Sequence, residues 1–169
     1  MNFFVVIDAQ EDFARGTLAN ENFVKVIPTI KQELENARKR GDTIIFTKDT
    51  HYQDYLTTSE GKHLPVEHCI KDTDGWQIVK ELEVQENDLV IQKDHFGFNL
   101  WEEYIQEGDT ITVCGTVTEI CVVSNCLAFK QFEGVEVNVI ANACAGLTEE
   151  GHKAAITVMK NCQCNIIGE

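Results

Sequence analysis

Six short runs rich in β-branched and aromatic residues recur along the chain with helix-patterned stretches between them, and this alternation restricts the fold more than any other feature. The runs are FFVVIDA at 3–9, TIIFT at 43–47, DLVIQ at 88–92, TITVCG at 110–115, VEVNVI at 135–140 and CNIIG at 164–168. The first, second and fourth are almost continuous in apolar residues, the pattern of strands covered on both faces. Between 22 and 40, Phe23, Val26, Ile27, Ile30, Leu34 and Ala37 share one helical face, and Gly41 follows as a stop signal. Residues 119–132 and 149–160 read as two further helices, with shorter ones at 76–82 and 100–105. Strand and helix in alternation imply right-handed crossovers. The expectation is an α/β fold: a three-layer, doubly wound, Rossmann-like arrangement in which a six-stranded, mainly parallel sheet carries helices on both faces, as a single domain over 1–169.

Composition narrows the function by exclusion. The formal net charge of −14, with no cluster of Lys and Arg, argues against nucleic acid and against anionic membrane surfaces. The seven cysteines are an odd number, and Met1 leads directly into FFVVIDA without a basic leader, so a reducing, cytoplasmic setting is expected. Most of those thiols then read as small buried hydrophobes. The one long irregular stretch, from about 49 to 74, is of a length that compact domains keep for function.

Ligands of open α/β sheets bind beyond the carboxyl ends of the strands. There the chain places Asp8 after the first run, Asp49 and His51 after the second, Lys93 after the third and Cys121 just past the fourth. Singly, each has an ordinary explanation as a turn, cap, solvated end or core residue. Jointly, they bring reactive groups to one rim. The segment GTVTEI ahead of Cys121 supplies a Gly turn and capping residues, which predicts a thiol in the first turn of a helix. A helix amino terminus with a nearby ammonium favours thiolate, so the expected Cys121 pKa is depressed. Backbone N–H groups of the same turn suit an oxyanion.

Three motifs in order carry a family resemblance. VVIDAQEDF resembles the D-x-Q-x-D-F opening of the isochorismatase-like hydrolases, Lys93 with HFGF resembles their lysine segment, and GTVTEICV resembles their G-x-x-T-x-x-C-V motif. NACAGLT at 142–148 extends the likeness over nearly the whole chain, with Glu11 standing where the family often has Asn. The resemblance implies the isochorismatase-like hydrolase fold, with Cys121 as nucleophile, Asp8 as the base and later acid, and Lys93 as the cation organising both. It also implies a cis peptide between Thr116 and Val117, with the amides of Val117 and Cys121 forming an oxyanion hole. A homo-oligomer belongs to the same set of implications.

Asp49-Thr50-His51, followed by His63 and His68, is similar to the metal site of nicotinamidase-like members, and PVEHCIKDT is similar to their P-x-H-C stretch. The implied ligands are Asp49, His51 and His68, with His63 as an alternative fourth, holding a divalent ion. One carboxylate with imidazoles suits zinc first, with iron or manganese as alternatives. Phe13 and Phe96 are candidate substrate-binding rings, Phe98 being an alternative, and any of them equally fits the core. LPVEH lacks the aromatic residue that many nicotinamidases place before the histidine. Cys69 is the candidate second reactive thiol, Cys162 and Cys164 read as core or edge residues of a terminal strand, Cys114, Cys126 and Cys144 as packing, and His95 as a pocket or loop residue. The expected function is hydrolysis of a small amide, nicotinamide first. The alternatives are a related cysteine hydrolase acting on another small amide, and a non-catalytic metabolite-binding scaffold.

Overall fold

The computed structural model describes residues 1–169. Six strands form one sheet in the order β3-β2-β1-β4-β5-β6, with β1 Asn2–Ile7, β2 Thr43–Asp49, β3 Leu89–Lys93, β4 Thr110–Thr116, β5 Glu136–Ala145 and β6 Asn165–Ile167. Every neighbouring pair is parallel, so the sheet is wholly rather than mainly parallel. The continuous apolar runs have their reason here: Phe4 to Ile7 of β1 are completely buried, covered on both faces.

The helices are α1 Glu11–Ala14, α2 Glu21–Arg40, α3 Ser59–His63, α4 Val123–Phe129 and α5 Glu149–Asn161. α2 packs Phe23, Ile27, Ile30, Leu34 and Ala37 inward and ends at Gly41, whose φ of 81° is the left-handed cap that Gly adopts without a steric penalty. Connections run leftward from β1 and rightward from β4. Right-handed crossovers therefore put α2 on one face and α4 and α5 on the other.

Some expectations shift. The stretch 76–82 forms two 3-10 turns, Asp74–Trp76 and Lys80–Leu82, instead of one helix, and 100–105 contains only a turn at Trp101–Glu103. β5 runs to Ala145, five residues past its expected end, because a register shift between Val113 and Gly115 lets β4 pair again with Cys144 and Ala145. Gly115 at φ 125° lies so close to β1 that a Cβ would stand 2.1 Å from the Ile7 carbonyl oxygen, so only glycine fits there. The strand order reverses between β1 and β4, and the carboxyl ends of the strands around that switch point carry the residues described next.

Candidate active site

Asp8 follows β1 immediately, with φ at 47° and no exposure to solvent. Lys93 closes β3 and stands in register with Asp49 at the end of β2. The Lys93 Nζ lies 2.7 Å from Asp8 Oδ2 and 3.7 Å from Asp49 Oδ1. It lies 3.7 Å from Cys121 Sγ and donates to the His95 carbonyl at 2.9 Å. The three side chains predicted to work together therefore meet at one point, all of them buried.

Cys121 is carried by a single π-helical turn, Thr118–Val122, that runs into α4, and the preceding Thr116–Val117 peptide is cis. The expected helix at 119–132 is thus a wider turn followed by a shorter α-helix. The Val117 carbonyl accepts from both Ile120 N at 3.0 Å and Val122 N at 3.1 Å, which closes the turn around the nucleophile. Asn125, fully buried, donates to the Cys121 carbonyl at 2.8 Å and to Phe96 O at 3.2 Å, and accepts from Phe98 N and Trp101 Nε1 at 2.9 Å each. One amide side chain with every partner satisfied ties the nucleophile turn to the loop after Lys93.

The charge balance corrects one expectation. Burial raises the Cys121 thiol well above its ordinary value, the Asp8 carboxylate raises it further, and Lys93 only partly opposes them. A thiolate there would add a buried negative charge beside the Asp8 and Asp49 carboxylates. Burial likewise raises Asp8, against the pull of Lys93. Burial works against the Lys93 ammonium, yet Asp8, Cys121 and Asp49 together hold it well above the ordinary lysine range. A raised carboxylate beside a protonated thiol is suited to taking its proton when the sulfur is consumed.

A second group adjoins the first. Asp49, His51 and His68 offer ligand atoms that all lie within 4.8 Å of one another. Asp49 Oδ2 is 3.0 Å from His51 Nε2 and 3.4 Å from His68 Nε2. His68 Nδ1 is held by the Val66 carbonyl at 2.8 Å, which leaves Nε2 facing the cluster. Gln10 fixes the base of the loop: its amide donates to Asp49 O at 2.8 Å and Trp76 O at 3.0 Å, while its oxygen accepts from Asp49 N at 2.8 Å.

His63 does not join this group. It sits at the exposed end of α3 with its Nδ1 2.8 Å from the Ser59 carbonyl. Glu60, which the sequence did not single out, comes instead. Its Oε2 is buried without a hydrogen-bond partner, 3.1 Å from His51 Nε2 and 3.8 Å from His68 Nε2. Thr58 caps α3 and sets Glu60 in its first turn, so a helix-start signal was present in a segment that otherwise reads as solvated loop. Tyr55, fully buried, packs its ring at 4.7 Å from that of His51 and 5.0 Å from that of His68. An orphaned buried carboxylate oxygen aimed at two imidazole nitrogens and a second carboxylate fits a divalent cation. Burial disfavours the charged form of His51, but the adjoining Asp49 and Glu60 carboxylates push it up to about 9.

Of the aromatic candidates, Phe13 is buried with its ring centroid 5.8 Å from that of His68. Phe96 is half exposed on the loop that Asn125 pins, and Phe98 belongs to a group with Trp101 and Tyr104. Cys69 is fully buried, burial and the Asp49 carboxylate push its thiol up, and its amide donates to Asp12 Oδ2 at 2.7 Å. Cys114, Cys126 and Cys144 pack in the core as expected. Cys162 caps α5 in the open and Cys164 is buried before β6, so the pair does not share a strand. His95 is exposed beside Asp94, and its backbone carbonyl alone reaches the site.

The nicotinamidase of Schizosaccharomyces pombe is 26% identical over 205 residues, covering 98% of this chain and 92% of that protein. Among solved structures, the pyrazinamidase/nicotinamidase of Streptococcus mutans superposes with a TM-score of 0.86 at 26% identity, over 99% of this chain and 100% of that one. The pyrazinamidase of Pyrococcus horikoshii, solved in complex with zinc, gives a TM-score of 0.85 at 24% identity over 99% of both chains, a likeness of fold. Residues 2–168 match the Isochorismatase domain, and the chain belongs to that family.

Proposed function

We propose that the protein is a cysteine amidohydrolase that converts nicotinamide and water to nicotinate and ammonia, working in a reducing cytoplasm. The observation that carries this reading is the Lys93 ammonium lying 2.7 Å from Asp8 and 3.7 Å from Cys121 Sγ, all three side chains being buried. Cys121 sulfur attacks the carboxamide carbon while its proton passes to Asp8, and the carbonyl oxygen takes the negative charge. The amides of Val117 and Cys121 receive that oxyanion. Asp8 then gives the proton to the nitrogen, the C–N bond breaks and ammonia leaves a thioester on Cys121. Water attacks the thioester carbon and loses its proton to Asp8, the C–S bond breaks, and the sulfur takes that proton back. Lys93 keeps its charge throughout and offsets the negative charge that moves between oxygen and sulfur.

Asp49, His51, His68 and Glu60 are the residues that would hold a divalent ion, zinc first with iron or manganese as alternatives. Such an ion supplies a Lewis-acidic anchor for a ring nitrogen. Phe13, against His68, offers an apolar wall to a flat ring, with Phe96 at the loop edge. The relatives named above, nicotinamidases and pyrazinamidases, support an aromatic amide. A second reading, another small amide, is favoured by the LPVEH segment, which brings no ring ahead of His68. Ammonia release from nicotinamide compared with a panel of small aromatic and aliphatic amides separates the two. Turnover of nicotinamide well above the aliphatic amides supports the first reading; no turnover of it by zinc-loaded protein removes it.

A further inference from the structure

Thr47 lies on β2, two residues before Asp49, in a run whose neighbours Ile45 and Phe46 are wholly buried. Thr47 is equally buried. Valine would suit a covered strand at least as well, and a hydroxyl removed from water is costly unless it is used. It is used twice, on the same residue. The Thr47 Oγ1 accepts the Asp8 backbone N–H at 3.1 Å and donates to Asp8 Oδ1 at 2.6 Å. A hydroxyl has a single proton, so accepting from the amide leaves that proton committed to Oδ1.

This has two consequences for Asp8. Its backbone is held at φ 47°, a region that side-chain-bearing residues seldom adopt and that needs support from its surroundings. Its two carboxylate oxygens also become unequal. Oδ1 is occupied by Thr47, whereas Oδ2 has no hydrogen-bond partner apart from its ion pair with Lys93 at 2.7 Å. Lys93 in turn lies 3.7 Å from Cys121 Sγ.

We propose that Thr47 is a positioning residue for the hydrolysis: by locking Asp8 Oδ1, it fixes Oδ2 as the oxygen that takes the proton from Cys121 and returns it to the leaving nitrogen. The inference rests on the role given to Asp8 above. Loss of a hydrogen bond to a charged group at the reacting centre corresponds to roughly a ten- to hundredfold change in rate.

The test compares wild type, Thr47→Val, Thr47→Ser and Asp8→Asn, all zinc-loaded, for nicotinamide hydrolysis and for the rate at which iodoacetamide alkylates Cys121, followed by peptide mass. Thr47→Val keeps the strand and its volume; the expected result is kcat lowered about tenfold or more with KM within about twofold. Alkylation of Cys121 slows in parallel, and zinc per chain stays at the wild-type level. Thr47→Ser keeps the hydroxyl and restores both rates. If Asp8→Asn abolishes hydrolysis while Thr47→Val matches wild type in both rates, the role of Thr47 is overturned and that of Asp8 stands. If Asp8→Asn hydrolyses like wild type, the base assignment falls and Thr47 with it. Equal losses in Thr47→Val and Thr47→Ser, with zinc lost from both, mean a merely structural residue and also overturn the proposal. Alkylation of Thr47→Val against Thr47→Ser reads the role of Thr47 even where nicotinamide is not the substrate.

Discussion

Asp8, Lys93 and Cys121 hang on or just past the ends of β1, β3 and β4, whereas three of the four groups around the candidate metal position, His51, Glu60 and His68, are held by the loop between β2 and β3. The first group is placed by sheet register: Lys93 pairs with Asp49, and β1 lies between β2 and β4. The second depends on a short helix capped by Thr58, a tyrosine packed against both imidazoles and a single bridge from His51 to Ile70. Asp49 belongs to both. A rigid scaffold fixes the bond-making groups, while a loop fixes the groups that would choose what is bound, a division common where chemistry is kept and substrates vary.

The sharpest way to break this comparison is to remove the shared cation. Lys93→Met leaves Asp8 and Asp49 facing each other without compensation in a buried space. We expect kcat to fall by about 10²–10³-fold and stability to drop by about 3–5 kcal/mol, read by steady-state kinetics and urea unfolding. A variant as stable and active as wild type would show that the two halves are not joined through Lys93.

On the loop side, His68→Ala is expected to abolish stoichiometric zinc, measured by elemental analysis, while the fold and Cys121 alkylation remain. Loss of Cys121 reactivity along with the zinc would mean that the halves are one unit. Glu60→Gln keeps the shape and removes the charge; zinc affinity is expected to fall by roughly tenfold in a chelator competition, since Glu60 would be the fourth group beside Asp49, His51 and His68. Unchanged affinity would return Glu60 to a purely structural role.

The smallest effect concerns pH. Because burial and the Asp8 carboxylate raise the thiol, the charged form of Cys121 is scarce at neutral pH and grows as pH climbs. The alkylation rate of Cys121 should therefore keep rising past the range of an ordinary thiol. A plateau reached below that range would restore the expected low-pKa thiolate.

The contrast between the two halves also explains what could be seen in the residues alone. Strands and the long helix were legible because FFVVIDA and the Phe23-to-Ala37 stripe repeat with the period of the element they form. The nucleophile group was legible because each member lies beside a strand end, where chain position and spatial position coincide. The turn at Thr118–Val122 was misread as an α-helix start, since a π turn has no periodicity of its own at five residues. Glu60 was missed and His63 overvalued for one reason: within a loop, sequence spacing does not say which side chains fold inward, and only packing against Tyr55 and His51 turns Glu60 toward the imidazoles. The Cys121 pKa was misjudged because the sequence displays Lys93 but not the burial that outweighs it.

The central claim is that Cys121 forms the covalent bond. Zinc-loaded protein mixed with nicotinamide, quenched in acid within the first turnover and digested, should yield an acylated peptide containing Cys121, absent from Cys121→Ala, which should lose hydrolysis on the order of 10⁴-fold or more. An acyl group on any other residue, or undiminished hydrolysis by Cys121→Ala, would contradict it.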